Sequence, residues 1–384
     1  MKKRICFITT VPITMKSFVL DTARYLYNKE AYDITLVCNN DEAFKSELPE
    51  YIKFIPVNME RGINLKGLAA VKKFINIFKE NQFYYIQYST PNASLYASIA
   101  AKLAKMPVRL YAQWGIRYVG ASGMSRRLLK LFEKITCKLS SHIRAVSPMN
   151  MQFSIDEGLY KCDKVKVIGN GGTIGVSLDE FDINKKDELR KIVCEQYGID
   201  DETFVFGFIG RVSKDKGVSE LIEAFRKIVE EGYKAKLFIV GSDENAGIDD
   251  NVMSWASNSN DVFFTGKFPK SKLEMFYAAF DCYVHPTYRE GFGMVLQEAG
   301  AMGNAIITTD IPGAGEVMEK DISCKLVPPR NAQALADMME YMINNPEETK
   351  ELGRQAYVRT QKLYERSIML NNIAADIKEV LGEL

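Results

Sequence analysis

The sequence predicts an α/β protein of two doubly wound domains, each a parallel sheet covered by helices on both faces. Three observations carry this reading. At 384 residues the chain is too long for one typical open α/β domain and fits two of about 180 residues. Short apolar strands alternate with helical patterns through both halves, the signature of a buried parallel sheet. A glycine-rich stretch at 169–181, GNGGTIGVSLDEF, lies where the charge balance changes sign and reads as a linker. The expected domains are therefore 1–172 and 173–366.

In the first half, strands are expected at 4–9, 33–37, 53–57, 84–87, 108–111, 143–146 and 164–168. Helices are expected at 18–27, 65–79, 94–105, 124–139 and 148–157. Ligands of such sheets bind beyond the carboxyl ends of the strands, so the loops 10–17, 89–92 and 113–123 become candidate contacts. Their polar and aromatic residues include Thr10, Ser17, Gln113, Trp114 and Arg117. The alternation resumes with strands at 204–209, 236–240, 262–265, 281–284 and 305–308, and helices at 218–231, 271–279 and 294–302. Three helical runs, 332–343, 346–363 and 367–381, close the chain.

With 47% hydrophobic and 26% charged residues the composition is that of a soluble globular protein. No run reaches the eighteen or so apolar residues of a membrane span. The start, MKKRICFITTVPIT, has a basic opening but only a short apolar run, and reads as a first strand in place of a signal peptide. The seven cysteines (6, 38, 137, 162, 194, 282 and 324) form no C-x-x-C pair and fit buried free thiols in a reducing cytosol. The net charge of +1 hides an asymmetry: residues 1–173 carry 26 Lys and Arg against 13 Asp and Glu, and residues 174–384 carry 24 against 36. A basic first half fits an anionic partner, be it nucleic acid, an anionic membrane or a phosphorylated acceptor. It also fits mutual attraction of the two halves. No nucleic-acid reading motif accompanies the charge, which argues against that partner.

Two stretches carry chemistry. In 281–303, DCYVHPTYREGFGMVLQEAGAMG, a strand ends at His285 and Pro286, a turn carries Arg289 and Glu290, and Gly291, Phe292 and Gly293 lead into a helix opening near Met294 and Val295. Its glycines permit close backbone approach, and the helix start is an anion site suited to a phosphate. Glu298 lies one turn further along. A carboxylate on each side of an anion site is what a diphosphate bearing two sugars requires. The second stretch, GRVSKDKGVSELIEAF after strand 204–209, places Gly210, Arg211, Lys216 and Gly217 ahead of a helix. Two cations beside a helix start would neutralise a leaving diphosphate, Arg211 gripping two oxygens and Lys216 acting as a point charge. Neither a P-loop nor a G-x-G-x-x-G dinucleotide fingerprint is present. No D-x-D spacing or His/Cys/Asp cluster suggests a metal.

The combination G-R-x-x-x-x-K-G, a strand ending at Gly266, and E-G-F-G with E-x7-E at Glu290 and Glu298 resembles the retaining glycosyltransferases of family 4. The resemblance spans the chain and is strongest in 204–316; the first half resembles members that build capsular, exopolysaccharide or lipid-linked oligosaccharide chains. It implies the GT-B architecture: two Rossmann-like domains facing across a cleft, the first binding acceptor and the second donor, with a helix at about 367–384 packing back on the first. It further implies that Arg211 and Lys216 bind the donor diphosphate, together with Gly210 and the backbone of Met294 and Val295. Glu290 and the backbone of Gly291, Phe292 and Gly293 would meet the transferred sugar, and Glu298 the ribose. Lys267 and Phe268 would flank the base. No metal or other cofactor is implied; a UDP-sugar is the expected donor and a lipid-diphosphate-linked glycan the expected acceptor. One departure stands out: Trp114 occupies the place where members often carry a His near the reacting sugar. Gln113 or Arg117 would supply that contact, or Trp114 would stack on a sugar, or Trp114 packs in the core.

The helix at 124–139 reads as amphipathic. Met124, Leu128, Phe132, Ile135 and Leu139 share one side, and Arg126, Lys130, Lys134 and Lys138 form an i,i+4 stripe offset only by Glu133. Such a helix suits docking on an anionic membrane, and equally an outer helix of an α/β domain. The expectation is a cytoplasmic enzyme, peripheral at the inner membrane face, that moves a hexose or N-acetylhexosamine with retention. A non-catalytic partner subunit and a nucleotide-sugar 2-epimerase on the same fold are the alternatives.

Overall fold

A computed structural model describes residues 3–60 and 67–383. The chain divides into two compact units, Met1–Ile174 with Ser367–Leu384, and Gly175–Arg366.

The first unit is built on parallel strands β1 (Arg4–Ile8), β2 (Asp33–Cys38), β3 (Lys53–Pro56), β4 (Tyr85–Tyr88), β5 (Val108–Gln113), β6 (His142–Ala145) and β7 (Val165–Val167). Their order is β3-β2-β1-β4-β5-β6-β7, so the winding reverses between β1 and β4. Helices α1 (Pro12–Phe18), α2 (Leu20–Glu30), α3 (Glu42–Ser46), α4 (Gly67–Asn81), α5 (Pro91–Leu103), α6 (Gly123–Leu139) and α7 (Pro148–Asp156) connect them. Strand alternation sends Ile5, Phe7, Leu110 and Ala112 into one core, and Cys6, Ile8 and Tyr111 into the other, under Phe74, Phe78 and Ala97. With both faces buried, the strands are near-continuous apolar runs, which is why they were legible.

The second unit's main strands are β8 (Phe204–Ile209), β10 (Ala235–Val240), β12 (Val262–Gly266), β13 (Cys282–His285), β14 (Ala305–Thr309) and β15 (Lys325–Val327), in the order β12-β10-β8-β13-β14-β15. A small parallel ladder joins β9 (Val212–Ser213) to β11 (Asp243–Ala246). The helices are α8 (Lys186–Tyr197), α9 (Val218–Glu230), α10 (Asp250–Asn258), α11 (Leu273–Ala279), α12 (Met294–Ala301), α13 (Ala332–Asn344) and α14 (Pro346–Leu363). The last helix, α15 (Arg366–Leu381), returns to the first unit, where Ile373, Ala374 and Ile377 complete its core. There Arg144 Nε donates to both carboxylate oxygens of Asp376, at 2.8 and 2.9 Å, in a pair that is almost wholly buried.

Several expectations need correction. The segment expected as a loop at 10–17 is mostly α1, with Pro12 at its first turn; a break at Val19 (φ −128°, ψ −35°) separates it from α2, so the helix expected at 18–27 starts later. The expected helix start at 65 lies outside the described residues; the helix is described from Gly67. Helices α8 and α10 and strand β15 were not expected. In α8, KDELRKIVCEQY buries only Val193 and Cys194 and rests Tyr197 edge-on against Phe238, too few apolar positions to show a period; Gly198 closes it in the left-handed conformation. The expected linker is shorter than 169–181, since Val176 pairs with Glu365 and Phe181 is buried against Tyr277. Cys162 is exposed, unlike the other six cysteines. Among the described residues, no helix is long and apolar enough to cross a membrane.

Candidate functional site

Strands β8 and β13 lie side by side in parallel, with Cys282 opposite Phe206, at the point where the second sheet's winding reverses. Loops leaving the carboxyl ends of two such strands diverge and leave a crevice. Here they also touch. The Tyr288 N–H donates to the Asp215 carbonyl at 3.0 Å. Gly217, with φ +70°, passes so close that a Cβ there would lie 1.9 Å from the Pro286 carbonyl oxygen, so a side chain is excluded.

Ion pairs then cross between the loops in both directions. Lys216 Nζ donates to Glu290 Oε2 at 2.8 Å, and Arg289 Nη2 to Asp215 Oδ2 at 3.1 Å. Arg211 shares Asp215, at 3.2 Å, and reaches Glu244 at 2.9 Å. Three cations thus face three carboxylates. The arginine pairs are exposed and contribute little to stability; Lys216 and Glu290 are more enclosed, at 18 and 19% side-chain exposure.

Glu290 has three donors. Its Oε1 accepts from the Gly291 N–H at 3.0 Å, and its Oε2 from His285 Nε2 at 3.2 Å as well as from Lys216. Burial alone would raise its pKa, but Lys216 and then His285 overcome that and hold the carboxyl well below the usual range. His285 is fully enclosed, and burial pushes its pKa below the ordinary value despite the glutamate, so the imidazole is neutral at pH 7.

Helix α12 opens directly after Gly293, with no capping side chain among the described residues, so its first turn at Met294 and Val295 presents a positive dipole end. The glycine N–H groups expected to face a ligand are engaged within the protein: Gly293 donates to the Gly313 carbonyl at 3.0 Å and Gly291 to Glu290. Phe292 is buried against Tyr364. Glu298 is 6% exposed and accepts from the Tyr277 hydroxyl at 3.0 Å; burial raises its pKa, with Lys270 and Tyr277 opposing. Gly210 follows β8 directly, and Gly266 ends β12 at φ +73°. Lys267 is exposed beside it, and Phe268 packs on Phe276.

The first-unit candidates separate. Gln113 is no surface contact. Strand alternation turns it to the helix side, where it donates to Glu133 and accepts from Tyr160 and Ser154. Trp114 turns the other way, packs on Phe18 at 5.4 Å and walls a cavity of about 40 Å³ with Thr22, Gln87 and Arg144, room for a few waters and not for a sugar ring. Thr10 is spent on Thr90, whose Oγ1 lies 2.8 Å from its own. Ser17 and Arg117 are exposed.

On α6 the expected stripe is half occupied. Lys130 and Arg126 both pair with Glu157, at 2.6 and 3.6 Å, and lie over the Tyr118 ring. Lys134 and Lys138 are exposed. The buried side is Glu133, Thr136 and Cys137; of the expected apolar side Phe132 and Ile135 pack against the core, whereas Met124 and Leu128 face solvent, as does Leu131. Glu133 offsets nothing at the surface; it is buried under Tyr111 and Gln113. The sequence reading missed Asp215, Glu244 and Arg289 as partners, and took His285 for a structural residue in preference to a protonation switch. Only the alternating charges of KDK in 214–216 hinted at Asp215. Among the described residues, no group of three His, Cys, Asp or Glu could hold a metal.

Residues 190–359 match the family model for glycosyl transferases group 1, and residues 4–147 the model for glycosyl transferase 4-like domains. The solved structure of HepE from Anabaena in complex with UDP is 20% identical, superimposes with a TM-score of 0.76, and covers 99% of this chain and all of its own. The chain belongs to the GT-B glycosyltransferases. Among relatives of this glycosyltransferase, the capsular polysaccharide biosynthesis glycosyltransferase CapM of Staphylococcus aureus is 29% identical over 92% of both chains. The N,N'-diacetylbacillosaminyl-diphospho-undecaprenol alpha-1,3-N-acetylgalactosaminyltransferase of Campylobacter jejuni is 24% identical over 92% of this chain and 93% of its own.

Proposed function

We propose that this glycosyltransferase moves a hexose or N-acetylhexosamine from a UDP-sugar, with retention and without a metal, to a hydroxyl of a lipid-linked glycan in surface polysaccharide assembly. The observation that carries the reading is the crossing of the two loops, which sets Lys216 against Glu290 at 2.8 Å beside the start of α12. A diphosphate there would exchange carboxylate partners for phosphate oxygens at Arg211 and Lys216, while Gly210 and the opening turn at Met294 and Val295 supply backbone donors. Glu290 would then face the sugar hydroxyls, Glu298 the ribose, and Lys267 with Phe268 the base. The C1–phosphate bond breaks as the acceptor oxygen bonds to C1 on the same face. The departing β-phosphate oxygen takes the acceptor proton, and its charge is stabilised by the two cations. The name of CapM supports surface polysaccharide assembly, that of the diphospho-undecaprenol transferase supports the class of acceptor, and the UDP complex of HepE supports the donor.

The test is UDP release from UDP-glucose, UDP-galactose and their N-acetylamino counterparts, with and without chelator. We expect slow hydrolysis of one donor, unaffected by chelator and reduced about 100-fold or more in Arg211→Ala. Binding without turnover, even with acceptor lipid, would favour a non-catalytic subunit; loss of turnover with chelator would end the metal-free mechanism.

We place the enzyme at the inner face of the cytoplasmic membrane, because α6 exposes Met124, Leu128 and Leu131 beside the exposed Arg127, Lys134 and Lys138. At about 1 kcal/mol per basic residue, changing Arg127, Lys134 and Lys138 together to Ser should weaken co-sedimentation with anionic vesicles about 100-fold. Unchanged binding would remove α6 from the membrane contact.

A further inference from the structure

We infer that His285 is a positioning residue for the transfer: its neutral imidazole holds Glu290 aimed and ionised when the donor diphosphate draws Lys216 away. The inference rests on the proposed transferase reading. Glu290 Oε2 accepts from both Lys216 and His285, while Oε1 is fixed by the Gly291 N–H. Lys216 is the mobile partner, a flexible side chain that phosphate oxygens would recruit. His285 has no such freedom. It ends β13, its carbonyl accepts from Thr308 Oγ1 at 3.0 Å, and its ring lies nearly parallel to those of Phe208 and Tyr283. A carboxylate can only accept, so the proton sits on Nε2. Nδ1 faces the Tyr283 hydroxyl at 3.5 Å, which donates to the Ile209 carbonyl. After Lys216 has moved, His285 and the Gly291 N–H keep the carboxylate in register, leaving its other lone pairs for the hydroxyls of the sugar.

The chain has two histidines, His142 and His285, so nitrogen-15 histidine spectra of the full protein resolve both. At pH 7 we expect His285 neutral with the proton on Nε2, an unchanged tautomer at saturating UDP, and a shifted Nε2 resonance in Glu290→Gln. A proton on Nδ1, or a tautomer that switches with UDP, would overturn the inference. This readout needs no turnover, so a failure of the His285 hydrogen bond is distinguishable from a failure of the transferase reading. With the UDP-sugar that the wild type hydrolyses fastest, His285→Phe should lower kcat about 10- to 100-fold, the loss of one hydrogen bond to a charged group, while UDP affinity stays within about twofold. His285→Gln, which restores a donor near Nε2, should recover most of the loss. Equal kcat in the Phe variant and the wild type, or equal losses in the Phe and Gln variants at matched melting temperatures, would reduce His285 to packing.

Discussion

Lys216→Ala should lower kcat/KM by about 10²- to 10³-fold, one of the two largest effects expected in this protein. Under the proposed mechanism the substitution removes a point charge from the leaving phosphate, and it also strips the enclosed Glu290 of its cation. Without Lys216, burial acts on Glu290 opposed mainly by His285, so its pKa rises toward neutrality. In the wild type that pKa is depressed. Glu290 therefore stabilises the fold at all pH above the ordinary glutamate value, and the contribution is lost as pH falls toward the folded pKa. Rate–pH profiles of the two proteins should differ accordingly, the variant acquiring an acid limb that the wild type shows only at much lower pH. A variant with full kcat/KM and the same acid limb would remove Lys216 from the diphosphate and leave it a surface charge.

The second large effect is on stability. Asp376→Ala leaves the Arg144 guanidinium buried without its carboxylate, which typically costs about 3–5 kcal/mol. For a unit of this size that corresponds to a melting temperature lower by about 6–20 °C in the first unit's transition. Burial pushes the Asp376 pKa up and Arg144 opposes, so the pair is held against a real desolvation cost. Replacing both partners, Arg144→Met with Asp376→Leu, should therefore recover most of the loss. Calorimetry of the full chain measures both, and a shift within about 2 °C for Asp376→Ala would contradict the assignment.

The two sheets, their parallel strands and the two loops that follow β8 and β13 were legible because each depends on local pattern: continuous apolar strands, then Gly-Arg or His-Pro at the strand's end. Relations between distant residues were not. Nothing in the sequence near Lys216 announces Glu290 as its partner, or pairs Arg289 with Asp215 and Arg211 with Glu244. Gln113 was misread because the reading did not follow strand parity: Val108, Leu110 and Ala112 face one core and Tyr111 the other, which fixes Gln113 inward. On α6 the apolar and basic stripes were real in sequence, but Glu133 is buried through hydrogen bonds from Tyr111 and Gln113, so the core face takes in Glu133, Thr136 and Cys137 beside Phe132 and Ile135 and leaves Met124 and Leu128 outside.

The return of α15 to the first unit has a consequence for the order in which the protein can be made. Translation delivers all seven strands of the first sheet and the whole second unit before Ile373, Ala374, Asp376 and Ile377 leave the ribosome. Until then the part of the first unit's core that Ile373, Ala374 and Ile377 cover lies bare and Arg144 lacks Asp376, whereas Gly175–Arg366 is one uninterrupted segment that can settle on its own. The half of the enzyme synthesised first is thus the half that finishes last.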